Sequence, residues 1–197
     1  MLRRAVLSAC LVLSLAGAAF AQETPPPAPP RVTIETTMGA VTFEMDTAGA
    51  PKTSAHMLRL FRTRHYVGAG IFRVEPGFLI QLGDLDRNLV YRQPPYTATV
   101  PLETENNRHM RGGVALAHGD DPNSGRSSFY FELADNPHLN ATPGAAPNTT
   151  GFAVFGKVVE GMDVLDRIAA VELDPAKGPF PGKLPATPIV ITAVRVE

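Results

Sequence analysis

Short segments in which apolar and polar residues alternate recur along this chain, and they constrain its fold more than any other feature. In the opening pair, "RVTIET" and "AVTFEM", alternation places Val32 and Ile34 on one side, as in a hairpin with one buried face. In the final run, Val190, Val194 and Val196 are expected to share a face. Further strands are predicted over Phe78–Leu82, Gly113–His118, Phe129–Leu133, Phe152–Val158 and Ile189–Val196. The sequence therefore predicts a mainly β protein.

Two segments follow a helical period instead. Pro51 stands where a first helical turn tolerates proline, and Ser54, Met57 and Phe61 then recur on one side. The segment "GMDVLDRIAAV" repeats this pattern and adds an oppositely charged pair four residues apart, Asp163 to Arg167. Many strands with two helices predict a closed barrel that is capped at its ends, because closure removes exposed strand edges.

The N-terminal residues are predicted to be a secretory signal and not part of the fold. A basic pair, Arg3 and Arg4, precedes an apolar stretch and an A-x-A site, so we expect cleavage after Ala21. A membrane anchor is an alternative, although about 16 apolar residues fall short of the roughly 20 that span a bilayer. A lipoprotein signal that ends at Cys10 is another, and it would leave only a stub of apolar sequence before the cysteine.

The predicted domain boundaries follow from composition. Residues 1–21 form the signal peptide, and the proline-rich residues 22–30 form an extended linker because they carry no apolar side chains for a core. The folded domain is predicted over residues 31–197. Cys10 is the only cysteine, so the mature chain cannot form a disulfide. Export without disulfides favours a bacterial periplasm as the location.

Charge and ligand spacing exclude several function classes. The net charge of −1 offers no basic surface for nucleic acid. The stretch "DLDRN" begins like a calcium loop, but Leu89 stands where glycine is needed and Pro95 where a bidentate glutamate should stand. The five histidines show no zinc-ligand spacing, and no G-x-S-x-G elbow surrounds Ser124, Ser127 or Ser128. We therefore expect no metal, no cofactor and no membrane contact in the mature form, and a monomer.

Four separated motifs resemble those of one family. The stretch "IFRVEPGFLIQLGD" is similar to the cyclophilin signature, except that Ile71-Phe72 stands where the family usually has phenylalanine-histidine. "PKTSAHMLRLF" resembles the family's first helix. "RGGVALAH" with "DPNSGRSSFYFEL" resembles its central strands, and "FAVFGKVVEGMDVLDRI" its penultimate strand and second helix. The resemblance runs from about residue 31 to residue 197, in order.

The resemblance implies a fold and an activity. Cyclophilins are peptidyl-prolyl cis-trans isomerases built on a closed eight-stranded antiparallel β-barrel with two capping α-helices, and their substrates are proline-containing polypeptides. By resemblance, Arg73 donates a hydrogen bond to the prolyl nitrogen, Gln81 holds the geometry, and Phe78 completes the catalytic set. The resemblance also implies a set of substrate-binding residues, namely Leu79, Ala117, His118, Ser128, Tyr130, Leu139 and Phe152.

Some residues at the edge of this site depart from the family pattern. Ser128 replaces the usual glutamine, Tyr130 replaces a phenylalanine, and Phe152 stands where many members have histidine. His138 falls where many eukaryotic members carry tryptophan, and residues 141–150 resemble an insertion. Two other functions remain open: a chaperone module that binds proline-containing segments with little turnover, and a scaffold in which the barrel only supports interactions. The intact Arg73 and Gln81 favour the enzyme.

Overall fold

The computed structural model describes residues 28–96, 98–105, 108–142 and 150–197. The predicted signal peptide, the first part of the linker and most of the predicted insertion at 141–150 lie outside these residues. The helices and strands follow one another in the order β1 Arg31–Thr36, β2 Gly39–Met45, α1 Pro51–Phe61, β3 Ala69–Glu75, β4 Leu79–Asp86, β5 Gly113–Leu116, β6 Phe129–Glu132, a short 3₁₀ helix Pro137–Leu139, β7 Ala153–Glu160, α2 Met162–Ala169, β8 Leu173–Asp174, β9 Leu184–Pro185 and β10 Ile191–Val196.

Eight of the strands form one antiparallel sheet in the order β10-β1-β2-β7-β5-β6-β4-β3. The two outermost strands approach each other, because Gly68 N–H donates to the Ile191 carbonyl at 2.8 Å and Ile71 N–H donates to the Ile189 carbonyl at 2.9 Å. These bonds close the sheet into a barrel, which confirms the predicted fold class. The remaining two strands, β8 and β9, form a separate short ribbon that the alternation did not predict.

The barrel interior holds the main hydrophobic core. Side chains that alternate along each strand point inward, and the rings of Phe43, Phe61, Phe129 and Phe155 meet there at centroid distances of 5.6–6.4 Å. Most of these contacts are edge-to-face, the arrangement that ring quadrupoles favour. The predicted inward face of the first hairpin is confirmed, since its apolar side chains are all buried.

The prediction for the last strand was wrong in one detail. Ile189 and Ile191 are buried in the core, and Val194 and Val196 pack against it, but Val190 does not belong to this set. The pairing of β10 with β1 shifts between Glu35 and Thr36. A bulge of this kind lets the residues on one side of a strand change partway along it.

Both predicted helices are confirmed, and both pack against the barrel. Helix α1 lies against β7 and β10, and α2 lies against β2. The Glu103 carboxylate accepts hydrogen bonds from the backbone N–H groups of Lys52 and Thr53, and this satisfies donors at the start of α1. Within the described ranges, no helix is long and apolar enough to cross a bilayer.

Candidate active site

One row of side chains crosses the outer face of the barrel through five neighbouring strands. Arg73 in β3 pairs with Gln81 in β4, Gln81 with Tyr130 in β6, Tyr130 with Ala115 in β5, and Ala115 with Val154 in β7. Because successive side chains on a strand point to opposite faces, these residues point outward while their neighbours fill the core. The arginine and glutamine in a mostly apolar stretch therefore belong to a surface site.

An apolar pocket occupies the middle of this row. Leu79, Ala115, Tyr130 and Val154 form a buried cluster that is separate from the barrel core. Four partly buried apolar side chains pack against it, namely those of Phe78, Ala117, Leu139 and Phe152. Six of these eight residues are among the predicted site residues. Ala115 and Val154 were missed, although each lies in a strand, two positions in sequence from a predicted residue just beyond that strand's end.

Arg73 lies at one end of the pocket with a side chain that is 22% exposed. Its Nε donates to Glu75 Oε1 at 2.7 Å, its Nη1 donates to Gln81 Oε1 at 3.2 Å, and its Nη2 lies 2.6 Å from the same Glu75 oxygen. A guanidinium has five N–H groups. Within the described residues these contacts engage at most three of them, so at least two, one on each terminal nitrogen, remain for a bound molecule.

Glu75 holds the arginine from the side, and sequence reasoning missed it. Burial would raise the pKa of Glu75, but hydrogen bonds from Arg73 and Lys183 outweigh burial and bring the pKa below its usual value. The Lys183 Nζ lies 3.2 Å from Glu75 Oε2. The spacing could have revealed the pairing of Glu75 with Arg73, since residues i and i+2 of a strand lie on one face.

A turn from distant sequence brings a second aromatic ring to the arginine. The guanidinium carbon of Arg73 lies 4.5 Å from the centre of the Phe180 ring and 5.8 Å from that of Phe78. Lys183 N–H donates to the Phe180 carbonyl at 3.0 Å across Pro181 and Gly182, the pair that a type II turn favours, and Gly182 has a φ of 72°. Val74 N–H bonds the Lys183 carbonyl at 2.7 Å and so ties the turn to β3. No pattern in the sequence around Phe180 predicts that its ring lies against Arg73.

The remaining predicted residues lie on the other side of Gln81. Gln81 Nε2 donates to Ser128 Oγ at 3.1 Å, and Ala117 N–H donates to the Ser128 carbonyl at 2.9 Å. The His118 ring stacks on Phe152 at 4.4 Å. Together, Gln81, Ala117, His118 and Ser128 border a cavity of about 230 Å³ next to the apolar pocket. The structure thus brings all ten predicted site residues to one region of the outer face.

A larger cavity in the described part of the protein lies elsewhere. It has a volume of about 640 Å³, extends over β2 and β7 between Glu44 and Lys157, and shares Val154 with the apolar pocket. We assign the site to the apolar pocket and the 230 Å³ cavity beside it, because neither Arg73 nor Gln81 lines the larger cavity. No group of three or more metal-ligating side chains converges within the described ranges.

The family model for the cyclophilin-type peptidyl-prolyl cis-trans isomerases matches residues 31–196. This chain belongs to the cyclophilin family. A peptidyl-prolyl cis-trans isomerase of Streptomyces antibioticus is 33% identical over 168 residues, which cover 84% of this chain and 97% of that protein. Peptidyl-prolyl cis-trans isomerase A of Dickeya dadantii is 31% identical over 199 residues, which cover 100% and 98% of the two chains. The protein is therefore an isomerase of this class.

Solved cyclophilins share the barrel. A Cryptosporidium parvum cyclophilin, crystallised in the presence of the dipeptide Ala-Pro, superposes with a TM-score of 0.70 at 22% identity and covers 85% of this chain and 98% of its own. A cyclophilin from Hirschia baltica gives a TM-score of 0.65 at 22% identity, with 84% and 73% covered. At such identities the likeness establishes the fold, and the nearly closed eight-stranded barrel with two helices agrees with both structures.

Proposed function

We propose that this cyclophilin accelerates rotation about X-Pro bonds by donating a hydrogen bond from Arg73 to the prolyl nitrogen, while the proline ring lies in the apolar pocket. The observation that carries the proposal is the position of one guanidinium, with N–H groups to spare, at the end of a pocket lined by Phe78, Leu79 and Tyr130. The pocket has the apolar character that a proline ring needs.

The chemistry requires stabilisation of a twisted bond. Uncatalysed X-Pro exchange takes tens to hundreds of seconds, with an activation energy of about 20 kcal/mol. As the amide twists, resonance is lost and the prolyl nitrogen becomes pyramidal and regains a lone pair. A fixed N–H donor stabilises that lone pair and is nearly idle in the planar ground state, so it lowers the barrier. A tenfold gain needs about 1.4 kcal/mol of this differential stabilisation.

The pocket neighbours keep Arg73 in place for this role. Glu75 and Gln81 bond it from two directions, and Ser128 holds the Gln81 amide in turn. Burial raises the pKa of the Tyr130 phenol well above its usual value, with Glu132 adding to the effect, so the ring remains neutral as a pocket wall. No group in this arrangement is required to accept or release a proton during the reaction.

We also infer that the clients are proline-containing segments of unfolded or partly folded polypeptides, reached after export to the periplasm. The client proposal is supported by the open outer-face position of the pocket and by the Ala-Pro dipeptide that accompanied the Cryptosporidium parvum protein. The export proposal rests on the signal-like residues 1–21. Mass spectrometry of the exported protein tests it. A first residue of Gln22 supports it, and an acylated Cys10 would make the protein a lipoprotein.

Substitution of Arg73 tests the mechanism. Arg73→Ala is expected to lower isomerase kcat at least tenfold with the unfolding midpoint nearly unchanged, because the guanidinium acts chiefly in the twisted state. Arg73→Lys should recover only part of the loss, since an ammonium lacks the planar fork that Glu75 and Gln81 hold. A matched control is Arg59→Ala, which removes an arginine that stacks on Tyr96 in another part of the surface.

The same assay separates the enzyme from the chaperone alternative. Proline-peptide binding without measurable turnover in the wild type would support a holding module. Wild-type activity in a stable Arg73→Ala protein would show that another group supplies the stabilisation.

A further inference from the structure

A buried acid and base lie directly behind the apolar pocket. His109 is 2% exposed and Glu132 is 0% exposed, and His109 Nδ1 lies 2.5 Å from Glu132 Oε1. Glu132 follows Tyr130 by two positions in β6, so both side chains point to the outer face. Gly113 leaves the space that the carboxylate fills, since a Cβ atom at that position would lie 3.2 Å from Glu132 Oε1.

The His109 ring contacts two walls of the pocket. It stacks nearly parallel to the Tyr130 ring, with 6.4 Å between centroids and 17° between planes, and it meets the Phe152 ring edge-on at 6.4 Å. Its Nε2 lies 3.1 Å from the Phe152 carbonyl oxygen. A carbonyl can only accept a hydrogen bond, so Nε2 carries a proton and donates it. The backbone of Phe152 is therefore held by the histidine.

Asn136 extends the same network to the opposite wall. Its side chain is buried, and Nδ2 lies 3.2 Å from Glu132 Oε2 and 3.3 Å from the Phe78 carbonyl oxygen. Its backbone carbonyl accepts from Leu139 N–H at 2.9 Å, and its own N–H donates to the His109 carbonyl at 2.9 Å. Three pocket residues from three separate segments, Phe78, Leu139 and Phe152, are thus bonded to one buried network.

The proton count gives the network a fixed arrangement. Nε2 of His109 must donate to Phe152, so one further proton lies between His109 Nδ1 and Glu132 Oε1, whichever atom holds it more closely. The pair is then neutral as a whole. Loss of either partner would leave a buried polar group without its hydrogen bond, which is costly in a low-dielectric interior.

We propose that His109, Glu132 and Asn136 are positioning residues that set the width of the proline pocket by holding the backbones of Phe78 and Phe152 and the segment of Leu139. The inference rests on the proposed function, because it assigns the network an effect on proline binding. Arg73 lies outside the network, so the two roles separate kinetically. Loss of the network raises KM, and loss of Arg73 lowers kcat.

Three variants test the proposal. The double variant His109→Leu with Glu132→Leu removes both polar partners, so it leaves neither of the two behind as an unpaired buried group and is expected to fold. Its KM, and its Kd for a peptide with one Ala-Pro bond, should rise about tenfold, with kcat changed by less than threefold. Asn136→Ala, in a loop outside the strands, should raise both constants about threefold and guards against failure of the double variant to fold.

Glu132→Gln is the matched conservative variant. A glutamine can donate to Nδ1 of a neutral His109 and still accept from Asn136, so every bond of the network is kept. KM and Kd within about twofold of the wild type are expected. An unchanged KM in Asn136→Ala, or in a stably folded double leucine variant, would overturn the proposal. A wild type that binds the peptide but does not turn it over would overturn the proposed function instead, while Kd continues to report on the pocket.

Discussion

Two acid–base pairs border the same pocket, and they differ in their access to water. The His109–Glu132 pair lies behind the pocket with side chains that are 1% and 0% exposed, whereas Arg73 and Glu75 at the mouth are each 22% exposed. The buried pair is bonded to the Phe152 carbonyl and to the Asn136 amide, and the outer pair keeps N–H groups that the proposed mechanism assigns to the substrate. In the proposed mechanism the charged group that meets the substrate lies near solvent, while a pair that is neutral as a whole and holds the backbone in place can be enclosed.

The largest difference should appear in stability. Glu132→Ala leaves His109 Nδ1 without a partner, removes one of the two acceptors of Asn136 Nδ2 and opens a cavity, so the free energy of unfolding should fall by about 2–4 kcal/mol. Glu75→Ala should change it by no more than about 1 kcal/mol, because solvent can replace the lost partner. Urea denaturation of both variants measures the contrast. An equal fall in the free energy of unfolding in the two variants would mean that solvent reaches Arg73 no better than it reaches His109.

A buried imidazole without a carboxylate sharpens the comparison. Burial lowers the pKa of His65 to about 4, and the nearby Arg92 adds to the shift. His65 is therefore neutral in the native state at pH 5 but protonated in the unfolded chain, whose histidine pKa is about 6.5, so stability is lost as pH falls from about 6.5 toward 4. Between pH 7 and pH 5 the wild type should lose on the order of 1–2 kcal/mol more than His65→Gln. Denaturation at both pH values measures the difference. If the wild type and His65→Gln lost the same free energy of unfolding between pH 7 and pH 5, this assignment would be wrong.

The outer pair should affect catalysis more than stability. Glu75→Gln keeps an oxygen acceptor but removes the charge that holds the guanidinium, so kcat/KM should fall three- to tenfold, or about 0.7–1.4 kcal/mol. The control is Glu44→Gln. It removes a carboxylate that lies outside the site and pairs with Arg31 at a distance of 2.7 Å. Wild-type activity should be flat from about pH 6 to 8, because the pKa of Glu75 lies below its usual value and the carboxylate stays ionised there. A slope in that range would show that a titrating group takes part in the reaction, contrary to the proposed mechanism.

The smallest effect is expected at the aromatic cover of the arginine. Phe180→Ala exposes one side of the guanidinium to water, which weakens its hydrogen bond to the substrate, so kcat/KM should fall about two- to fivefold. Tyr96→Ala is a close control, because Tyr96 is also 37% exposed and also stacks on an arginine, Arg59, at 4.2 Å. Equal activities of the two variants would show that Phe180 covers Arg73 without contributing to turnover.

Much of the fold could be predicted because it depends on local alternation. Seven of the eight barrel strands, both helices and the inward face of the first hairpin follow from spacing alone. Strand β3, which carries Arg73, was not among the predicted strands, because its residues are mostly buried and do not alternate. Val190 could not be placed correctly, since the bulge opposite Glu35 and Thr36 depends on pairing with a strand from the other end of the domain. The short ribbon β8–β9 carries too few residues for any period to be visible.

The site divides in the same way. The residues in the motif stretches were found because they lie in segments that resemble the family, and Ala115, Val154 and Glu75 could have been added from strand alternation. Phe180 and the His109–Glu132 pair could not. Their partners lie far away in sequence, and only the closed sheet brings them together. Spacing predicts which face a side chain occupies, but not which distant side chain it meets there.

The alternation within β5 ties the pocket to the core of the protein. Val114 and Leu116 point into the barrel, whereas Ala115 lies in the apolar pocket. A deletion of one residue in this strand would move the pocket residue inward and the core residues outward at the same time. Insertions and deletions here would thus be eliminated for two independent reasons, loss of folding and loss of activity. Lineages of this protein should vary in length in the loops and keep β5 at constant length.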